Sequence, residues 1–159
     1  MNDELLMKKQ LWVAAIENGT VIDHIPSKKL FALVNLLHID RMQTAVTIGY
    51  NLLSKGMGTK SIIKMADKFF TDEELNQLAV VCPNLTLCII RDYEIVEKRT
   101  VALPDELYGV AKCANPKCIT NNEPMRTHFH VTDTQHIKCH YCNTMIHLDD
   151  VQVVEHADH

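Results

Sequence analysis

Cys113-Ala-Asn-Pro-Lys-Cys118 and Cys139-His-Tyr-Cys142 are two closely spaced cysteine pairs separated by 20 residues. A tight turn within each pair can point both sulfurs inward, and four thiolates then complete the tetrahedron that Zn²⁺ takes in structural sites. Such a site is closed, because no coordination position remains for an activated water. The competing interpretation is two disulfides or four unrelated thiols. We expect one structural zinc ion per chain, with these ligands: Cys113, Cys118, Cys139 and Cys142.

The cellular compartment separates metal binding from disulfide formation. Residues 1–9 place acidic before basic side chains and contain no long apolar core, unlike a secretory signal. The apolar runs of this 159-residue chain are too short to cross a bilayer. We therefore expect a cytoplasmic protein without a membrane partner, whose thiols stay reduced and available to a metal. The net charge of −4 gives no general attraction to nucleic acid phosphates.

The first part of the chain alternates strand and helix patterns. Asn18-Gly19 predicts a β-hairpin between strands at residues 11–16 and 20–25, although a helix ending at this glycine is the competing interpretation. Pro26 can open the amphipathic helix that follows, because proline is tolerated at the first helical position. Apolar residues then recur at helical spacing, and we expect this helix to end near His38.

A second set of elements follows. Residues 46–52 alternate apolar and polar side chains, and with a second strand at 61–66 they predict an antiparallel hairpin. Thr71 and Glu74 have the spacing of a capping box, which opens a second helix. Residues 85–90 and 93–96 are then strand-like.

Strand, helix, two strands, helix and strand is the order of a ferredoxin-like α/β sandwich, with two helices on one face of an antiparallel sheet. The other sheet face is then exposed, dimerised or used for binding. Residues 98–109 predict a linker. The fold class is thus α+β, with a sandwich domain at 1–100 and a small four-cysteine, zinc-ribbon-like β domain at 101–159. The second domain is too short to bury a self-sufficient core, so we expect it to fold only with its metal.

A few polar residues of the first domain are candidates for chemistry. Asp23 and His24 suit acid–base work, but no nucleophile motif, glycine-rich phosphate loop or two-histidine helix motif accompanies them. Such a pair is more often structural or substrate-binding, and we predict no catalytic residue. Lys60 and Lys64 share one strand face, and with Lys98 and His24 they form either a cationic cluster suited to a polyphosphate or a set of solvated lysines.

The remaining cysteines and two histidines have simpler interpretations. Cys82 and Cys88 are expected to be small core residues. His128 and His130 alternate like the outer face of a strand, and we do not expect them to bind the ion because four thiolates are available.

Several stretches together resemble one protein family, the regulatory chain of aspartate carbamoyltransferase. Gly19-Thr-Val-Ile-Asp-His-Ile-Pro26 is similar to the N-terminal signature of that family. Thr47-Ile-Gly-Tyr-Asn-Leu52 and Met57-Gly-Thr-Lys60 resemble its central hairpin, and Asp92-Tyr-Glu-Ile-Val96 resembles its last allosteric strand. The cysteine spacing is also that of the family's zinc site.

The resemblance implies a noncatalytic, allosteric subunit of an enzyme of pyrimidine biosynthesis. Its N-terminal domain would bind CTP and UTP as inhibitors and ATP as activator. Its zinc domain would bind the catalytic chain. Two regulatory chains would form a dimer that bridges two catalytic trimers.

The resemblance also implies a nucleotide site made of four groups of residues. The phosphates would face Lys98 and His24, with help from Lys60. The ribose and the base edge would be held by Asp23 and Lys64. Backbone groups that read the base would come from Ile16 and Tyr93. Apolar side chains that pack against the base would be Val13 and Ile95.

Two other functions remain as alternatives. A zinc-ribbon module that binds nucleic acid has the metal motif in its favour, but the acidic balance and the absence of a basic and aromatic stripe count against it. A zinc enzyme such as a deaminase needs an open coordination position and a His-x-Glu pattern beside Pro-Cys-x-x-Cys, which this sequence lacks.

Overall fold

The computed structural model describes residues 15–154. These residues form two compact units. The first comprises the described residues up to Phe69 together with Leu85–Thr100, and the second comprises Phe70–Asn84 and the described residues from Val101 onward. Within residues 15–154, no helix combines the length and the apolar character needed to cross a membrane.

The first unit is built on a five-stranded antiparallel sheet with strand order β2-β3-β1-β4-β5. Short 3₁₀ turns at Ser27–Lys29 and Ile39–Arg41 flank its helix. The regular elements, in chain order, are β1 (Gly19–Ile25), α1 (Leu30–Leu36), β2 (Val46–Ser54), β3 (Gly58–Ala66), β4 (Thr86–Arg91) and β5 (Glu94–Thr100).

The hairpin predicted at Asn18-Gly19 is wrong. Both edges of β1 are already paired, with β3 on one side and β4 on the other, so no edge is left for a hairpin partner. Residues 11–14 lie outside the described part of the chain, and residues 15–16 belong to no strand. Gly19 instead begins β1 with φ +150°, where a Cβ would clash with the carbonyl oxygen of Met65. Glycine at this position is therefore required by backbone conformation and by close strand approach.

The helix predicted from Pro26 begins later than expected. Pro26 precedes the 3₁₀ turn, and α-helical hydrogen bonding starts only at Leu30. Leu30 and Leu33 are at most 1% exposed, so the apolar face of α1 is buried as the periodicity predicted. The core side of the sheet carries a fully buried cross-strand row, which consists of Ile63, Ile22 and Leu87.

The predicted hairpin of β2 and β3 is present, with an irregularity that the alternation did not reveal. Pairing shifts between Gly49 and Leu52, where Asn51 has φ +57°. Such a bulge adds one residue to a strand and increases its local twist. The hairpin is therefore regular at both ends and bent in the middle.

The second unit contains a four-stranded sheet of order β10-β9-β8-β6 and a two-stranded sheet of β11 and β7. A 3₁₀ turn at Leu148–Asp150 precedes the last strand. The regular elements are α2 (Asp72–Val81), β6 (Glu106–Tyr108), β7 (Ala111–Lys112), α3 (Ile119–Asn122), β8 (His128–Val131), β9 (His136–Cys139), β10 (Met145–His147) and β11 (Gln152–Val153). The predicted linker at 98–109 was too long, because its first residues extend β5 and its last residues form β6.

Helix α2 begins with the predicted capping box. The Glu74 amide donates to Thr71 Oγ1, and the Thr71 amide donates to Glu74 Oε1, both at 3.2 Å. The sequence placed this helix against the first sheet, but residues 70–84 cluster with the second unit, and Val80 belongs to that unit's buried core. The α+β class with a four-cysteine β domain is confirmed, whereas a functional division at residue 100 remains a prediction.

Candidate functional site

The four paired cysteines converge in the second unit. Their four Sγ atoms all lie within 4.8 Å of one another. Cys113 Sγ is 3.5 Å from Cys142 Sγ, and Cys118 Sγ is 3.8 Å from Cys139 Sγ. Zn–S bonds of about 2.3 Å in a tetrahedron separate the sulfurs by about 3.8 Å, so these distances fit one ion of that size. The cysteines are unbridged thiols, which favours metal binding over the disulfide interpretation.

Backbone and amide hydrogen bonds shape the first cysteine turn. The Cys118 amide donates to Asn115 O at 3.0 Å, which closes the turn. The side chain of Asn121 donates to Cys113 O at 2.9 Å and to Asn115 O at 2.8 Å. These contacts preorganise the loop that carries two ligands, and the sequence pattern did not point to Asn121.

The second turn has the corresponding backbone bonds. The Asn143 amide donates to Cys139 O at 3.0 Å, and Asn143 adopts φ +63°. Cys142 Sγ lies 3.1 Å from Thr144 Oγ1, and this contact lowers the pKa of Cys142 to about 6. Burial raises the pKa of Cys113 to about 12. A bound cation would supply the charge that holds the buried sulfurs as thiolates.

The first unit carries a charged row across one face of its sheet. Lys64 pairs with Val21, Val21 with Cys88, and Cys88 with Lys98, so these four side chains share a face on β3, β1, β4 and β5. Lys64 is only 7% exposed. Burial lowers the pKa of Lys64, and the nearby Asp23 carboxylate acts in the opposite direction.

Asp23 and Lys60 form an ion pair on the same face. The Lys60 ammonium is 2.9 Å from Asp23 Oδ1 and 3.2 Å from Oδ2, and both side chains are about four-fifths buried. Within residues 15–154, neither Lys64 nor Lys98 has a carboxylate within ion-pair distance. Two cations of this face therefore remain available to an anion.

His24 completes the charged end of the face. It follows Asp23 with φ +58°, and its amide donates to Asp23 Oδ1 at 2.7 Å. Its Nδ1 is buried and has no hydrogen-bond partner among the described residues, although Asp23 Oδ2 lies 3.8 Å away. A buried ring nitrogen without a partner is unfavourable, and a ligand could provide the missing hydrogen bond.

An apolar cluster begins between Lys64 and Lys98 and extends toward the other end of the face. Val21, Cys88 and Ile90 form a buried cluster against which Ile16 and Ile62 pack. Burial raises the pKa of Cys88, although the Lys98 ammonium partly opposes this, so the thiol stays neutral at physiological pH. Of this cluster, the sequence indicated Ile16 as a site residue and Cys88 only as a core residue. Strict alternation along β1, β3 and β4 is the signal that would have identified Val21, Ile62 and Ile90.

Three further predicted residues lie near or beyond this end. Ile95 pairs with Ile90 and is 59% exposed, so it extends the apolar end. Tyr93 lies in the turn between β4 and β5 with φ +67°, and its amide donates to Glu17 O at 2.9 Å. Its side chain is exposed and its amide is already occupied. Val13 lies outside the described residues. The structure thus assembles most of the predicted residues on one sheet face.

Comparison with known protein families matches nearly the whole chain in two parts. Residues 11–102 match the family described as aspartate carbamoyltransferase regulatory chain, allosteric domain. Residues 105–152 match the family described as aspartate carbamoyltransferase regulatory chain, metal binding domain.

Individual relatives agree with the family matches. The chain is 59% identical to the aspartate carbamoyltransferase regulatory chain of Bacteroides fragilis over 149 residues, covering 92% of this chain and 97% of that protein. It is 62% identical to the regulatory chain of Phocaeicola vulgatus over 137 residues, covering 85% and 88%. It is 41% identical to that of Pyrococcus abyssi over 146 residues, covering 89% of this chain and 96% of that protein. The chain belongs to the family of aspartate carbamoyltransferase regulatory chains, which are noncatalytic subunits.

Proposed function

We propose that this regulatory chain binds CTP, UTP and ATP on the charged sheet face of its first unit, within a nucleotide-binding domain at residues 1–100. It passes the signal to the catalytic chain through a zinc domain at residues 101–159. CTP and UTP inhibit and ATP activates in this proposal. A catalytic-chain partner follows from the family itself. Nucleotide binding transmits a signal only if the nucleotide prefers one quaternary state of the enzyme over the other.

The single observation that carries the effector site is the row from Lys64 to Lys98. Three strand spacings of about 4.8 Å place the two lysine Cα atoms roughly 14 Å apart, which leaves room for a ligand much longer than one phosphate. The apolar cluster around Val21 suits a planar base, and the Asp23 carboxylate can accept hydrogen bonds from ribose hydroxyls. The ammonium groups act as point charges toward phosphate oxygens.

Calorimetry on the full chain tests the site, with CTP and ATP compared against cytidine and adenosine. We expect Lys98→Ala to weaken both triphosphates by about tenfold or more and to leave the nucleosides nearly unchanged, because a charge-assisted contact contributes about 1.5–3 kcal/mol. Arg99→Ala is the matched control. Arg99 is the next residue on β5 and points to the opposite sheet face, so its loss should not change binding.

Two results of these titrations would contradict the proposal. Equal losses for nucleosides and triphosphates would refute a phosphate contact for Lys98. Absence of CTP and ATP binding at millimolar concentrations would refute the effector site itself.

The ion in the four-cysteine centre is Zn²⁺ in this proposal, and the centre holds the surface that docks onto the catalytic chain. Tetrahedral thiolate sites select zinc or iron–sulfur chemistry, and a closed single-ion site favours zinc. A reducing cytoplasm would keep the thiols available. Elemental analysis should find one zinc per chain in this centre, and a zinc-free chain should fail to copurify with the catalytic chain. Copurification without metal would contradict a docking role for this centre.

A regulatory dimer is the last part of the proposal. Strand β2 is an edge strand, and Ile48, Tyr50 and Leu53 on it are 42%, 51% and 72% exposed. A long edge strand with exposed apolar side chains is normally covered in the native assembly. Light scattering of the isolated chain should give twice the chain mass, and Leu53→Lys should shift that mass toward the monomer. A monomeric parent chain at micromolar concentration would contradict this part.

A further inference from the structure

Histidines crowd the outer face of the four-stranded sheet in the second unit. His128 and His130 flank the fully buried Phe129 on β8, so both side chains point away from the core. His140 follows β9, and its amide donates to His128 O at 2.9 Å. One ring nitrogen from each of the three histidines lies within 4.8 Å of the other two. The sequence pattern predicted the strand alternation but not this convergence.

The distances between the rings suit one metal ion. His130 Nε2 lies 2.9 Å from His140 Nδ1. Two metal–nitrogen bonds of about 2.0–2.1 Å at a right angle separate the nitrogens by about 2.9 Å. The rings of His128 and His140 are stacked with centroids 4.4 Å apart, so the His128 imidazole lies beside the other two. One nitrogen of each ring is therefore near enough to the other two for all three to reach a single ion after rotation of the stacked rings.

A carboxylate orients this group from the neighbouring strand. Glu106 Oε1 lies 3.1 Å from His130 Nδ1, so the Nδ1–H can donate to it and leave Nε2 with its lone pair. The Tyr108 hydroxyl donates to Glu106 Oε2 at 2.8 Å and fixes the carboxylate. Metal-binding histidines usually donate their second ring N–H to such a partner. The arrangement thus has the supporting contacts of a metal site as well as its ligands.

A purely structural cluster leaves one atom unexplained. A hydrogen bond between His130 and His140 would satisfy one nitrogen of each ring. His128 Nε2 would remain buried, and it has no hydrogen-bond partner within residues 15–154. Glu106 Oε1 lies 3.4 Å from it, which is within ion-pair distance of a protonated ring but does not meet strict hydrogen-bond geometry. Buried polar atoms without partners are rare in native proteins, and a bound ion is one explanation for such an atom.

We propose that His128, His130 and His140 form a second metal site, separate from the four cysteines, that takes one divalent transition ion such as Zn²⁺, Ni²⁺ or Cu²⁺. Imidazole ligands suit these ions. Glu106 acts as a positioning residue for His130. The His130 side chain is 39% exposed, so coordination positions on the outer side stay open to solvent and the ion is exchangeable. The site extends beyond the proposed function, which uses only the cysteine centre.

The experiment uses the full, untagged chain loaded with zinc and then given NiCl₂ in excess. After removal of free metal, elemental analysis should find one nickel per chain beyond the zinc of the cysteine centre. The double variant His130→Gln/His140→Gln should lose the nickel and keep that zinc. His136→Gln is the matched control, because His136 lies on the same sheet face, paired with Asp133 at 3.0 Å and outside the cluster. This control should retain both ions.

A second variant keeps the proposal testable if the double variant fails to fold. Glu106→Gln should weaken nickel binding in calorimetry by about 10–100-fold, as expected for loss of an orienting carboxylate, and should not change the zinc content. Absence of nickel in the parent chain would overturn the proposal. Equal nickel in the parent and the double variant would also overturn it, because the ion would then sit elsewhere.

Discussion

The two units of this regulatory chain stabilise their cores by different means. In the first unit, Ile63, Ile22 and Leu87 form a fully buried row across three adjacent strands. In the second unit, three of the buried core residues are themselves the cysteines of the metal centre: Cys113, Cys118 and Cys139. The buried row of the first unit is made of apolar side chains alone, whereas the core of the second unit surrounds an ion-binding site.

This difference matches the tasks proposed for the two units. A sheet with its own core can expose a charged face to a ligand without losing its fold. The second unit places cysteines of its metal centre inside its core, so we expect a structural metal to stabilise that core. The comparison predicts that substitutions in the two units will have separable effects.

Removing one metal ligand should have the largest effect. Cys118→Ser is expected to abolish metal binding in the four-cysteine centre and to unfold the second unit. In small metal domains the apparent free energy of binding structural zinc is about 10–16 kcal/mol, and this energy also stabilises the fold. Metal content and thermal unfolding measure this. Cys88→Ala, which removes a thiol of the first unit, should leave the metal content unchanged. A folded second unit in Cys118→Ser would contradict the comparison.

A cavity in the first core should have the next largest effect. Ile63→Ala is expected to lower the free energy of unfolding of the first unit by about 2–5 kcal/mol while metal content stays constant. Val96→Ala, on the exposed surface of β5, should change stability by less than about 0.5 kcal/mol. Denaturant unfolding measures both. A loss of metal in Ile63→Ala would mean that the two units fold as one.

Replacing Gly19 at the start of β1 should have the third largest effect on stability. Gly19→Ala should destabilise the first unit by about 1–3 kcal/mol, because the new Cβ meets Met65 O and the φ of +150° is unfavourable for alanine. Gly56→Ala is the matched control, since nothing lies within 4 Å of a Cβ there. Similar unfolding midpoints for the two variants would refute the conformational requirement at Gly19.

Loss of the helix cap should have the smallest effect. Thr71→Ala removes the acceptor for the Glu74 amide and should destabilise the second unit by about 1 kcal/mol. Thr71→Ser keeps the hydroxyl and should remain close to the parent in thermal unfolding. If the stability change instead affected only the first unit, the grouping of α2 with the second unit would be incorrect.

Local signals in the sequence predicted much of this architecture. The cysteine spacing predicted the centre, the Thr71 and Glu74 pair predicted the capping box, and alternation predicted the hairpin of β2 and β3. Each of these signals depends on residues that are close in sequence. The fold class and the family followed from them correctly.

Features that depend on distant pairing were not accessible in the same way. The pairing of β1 on both edges excluded the hairpin that Asn18-Gly19 favoured locally. The row from Lys64 to Lys98 depends on the register of four strands. The meeting of Glu106 with His130 requires β6 to pair with β8, and a three-residue strand has too weak a pattern to predict that partner.

Hydrogen exchange of the full chain, read by mass spectrometry before and after metal chelation, tests the central difference most directly. We expect amides of β1 to β5 to keep their protection without metal, while those of β6 to β10 and α2 lose it. Loss of protection in both units together, or retention in both, would contradict the claim that only the second unit depends on its ion.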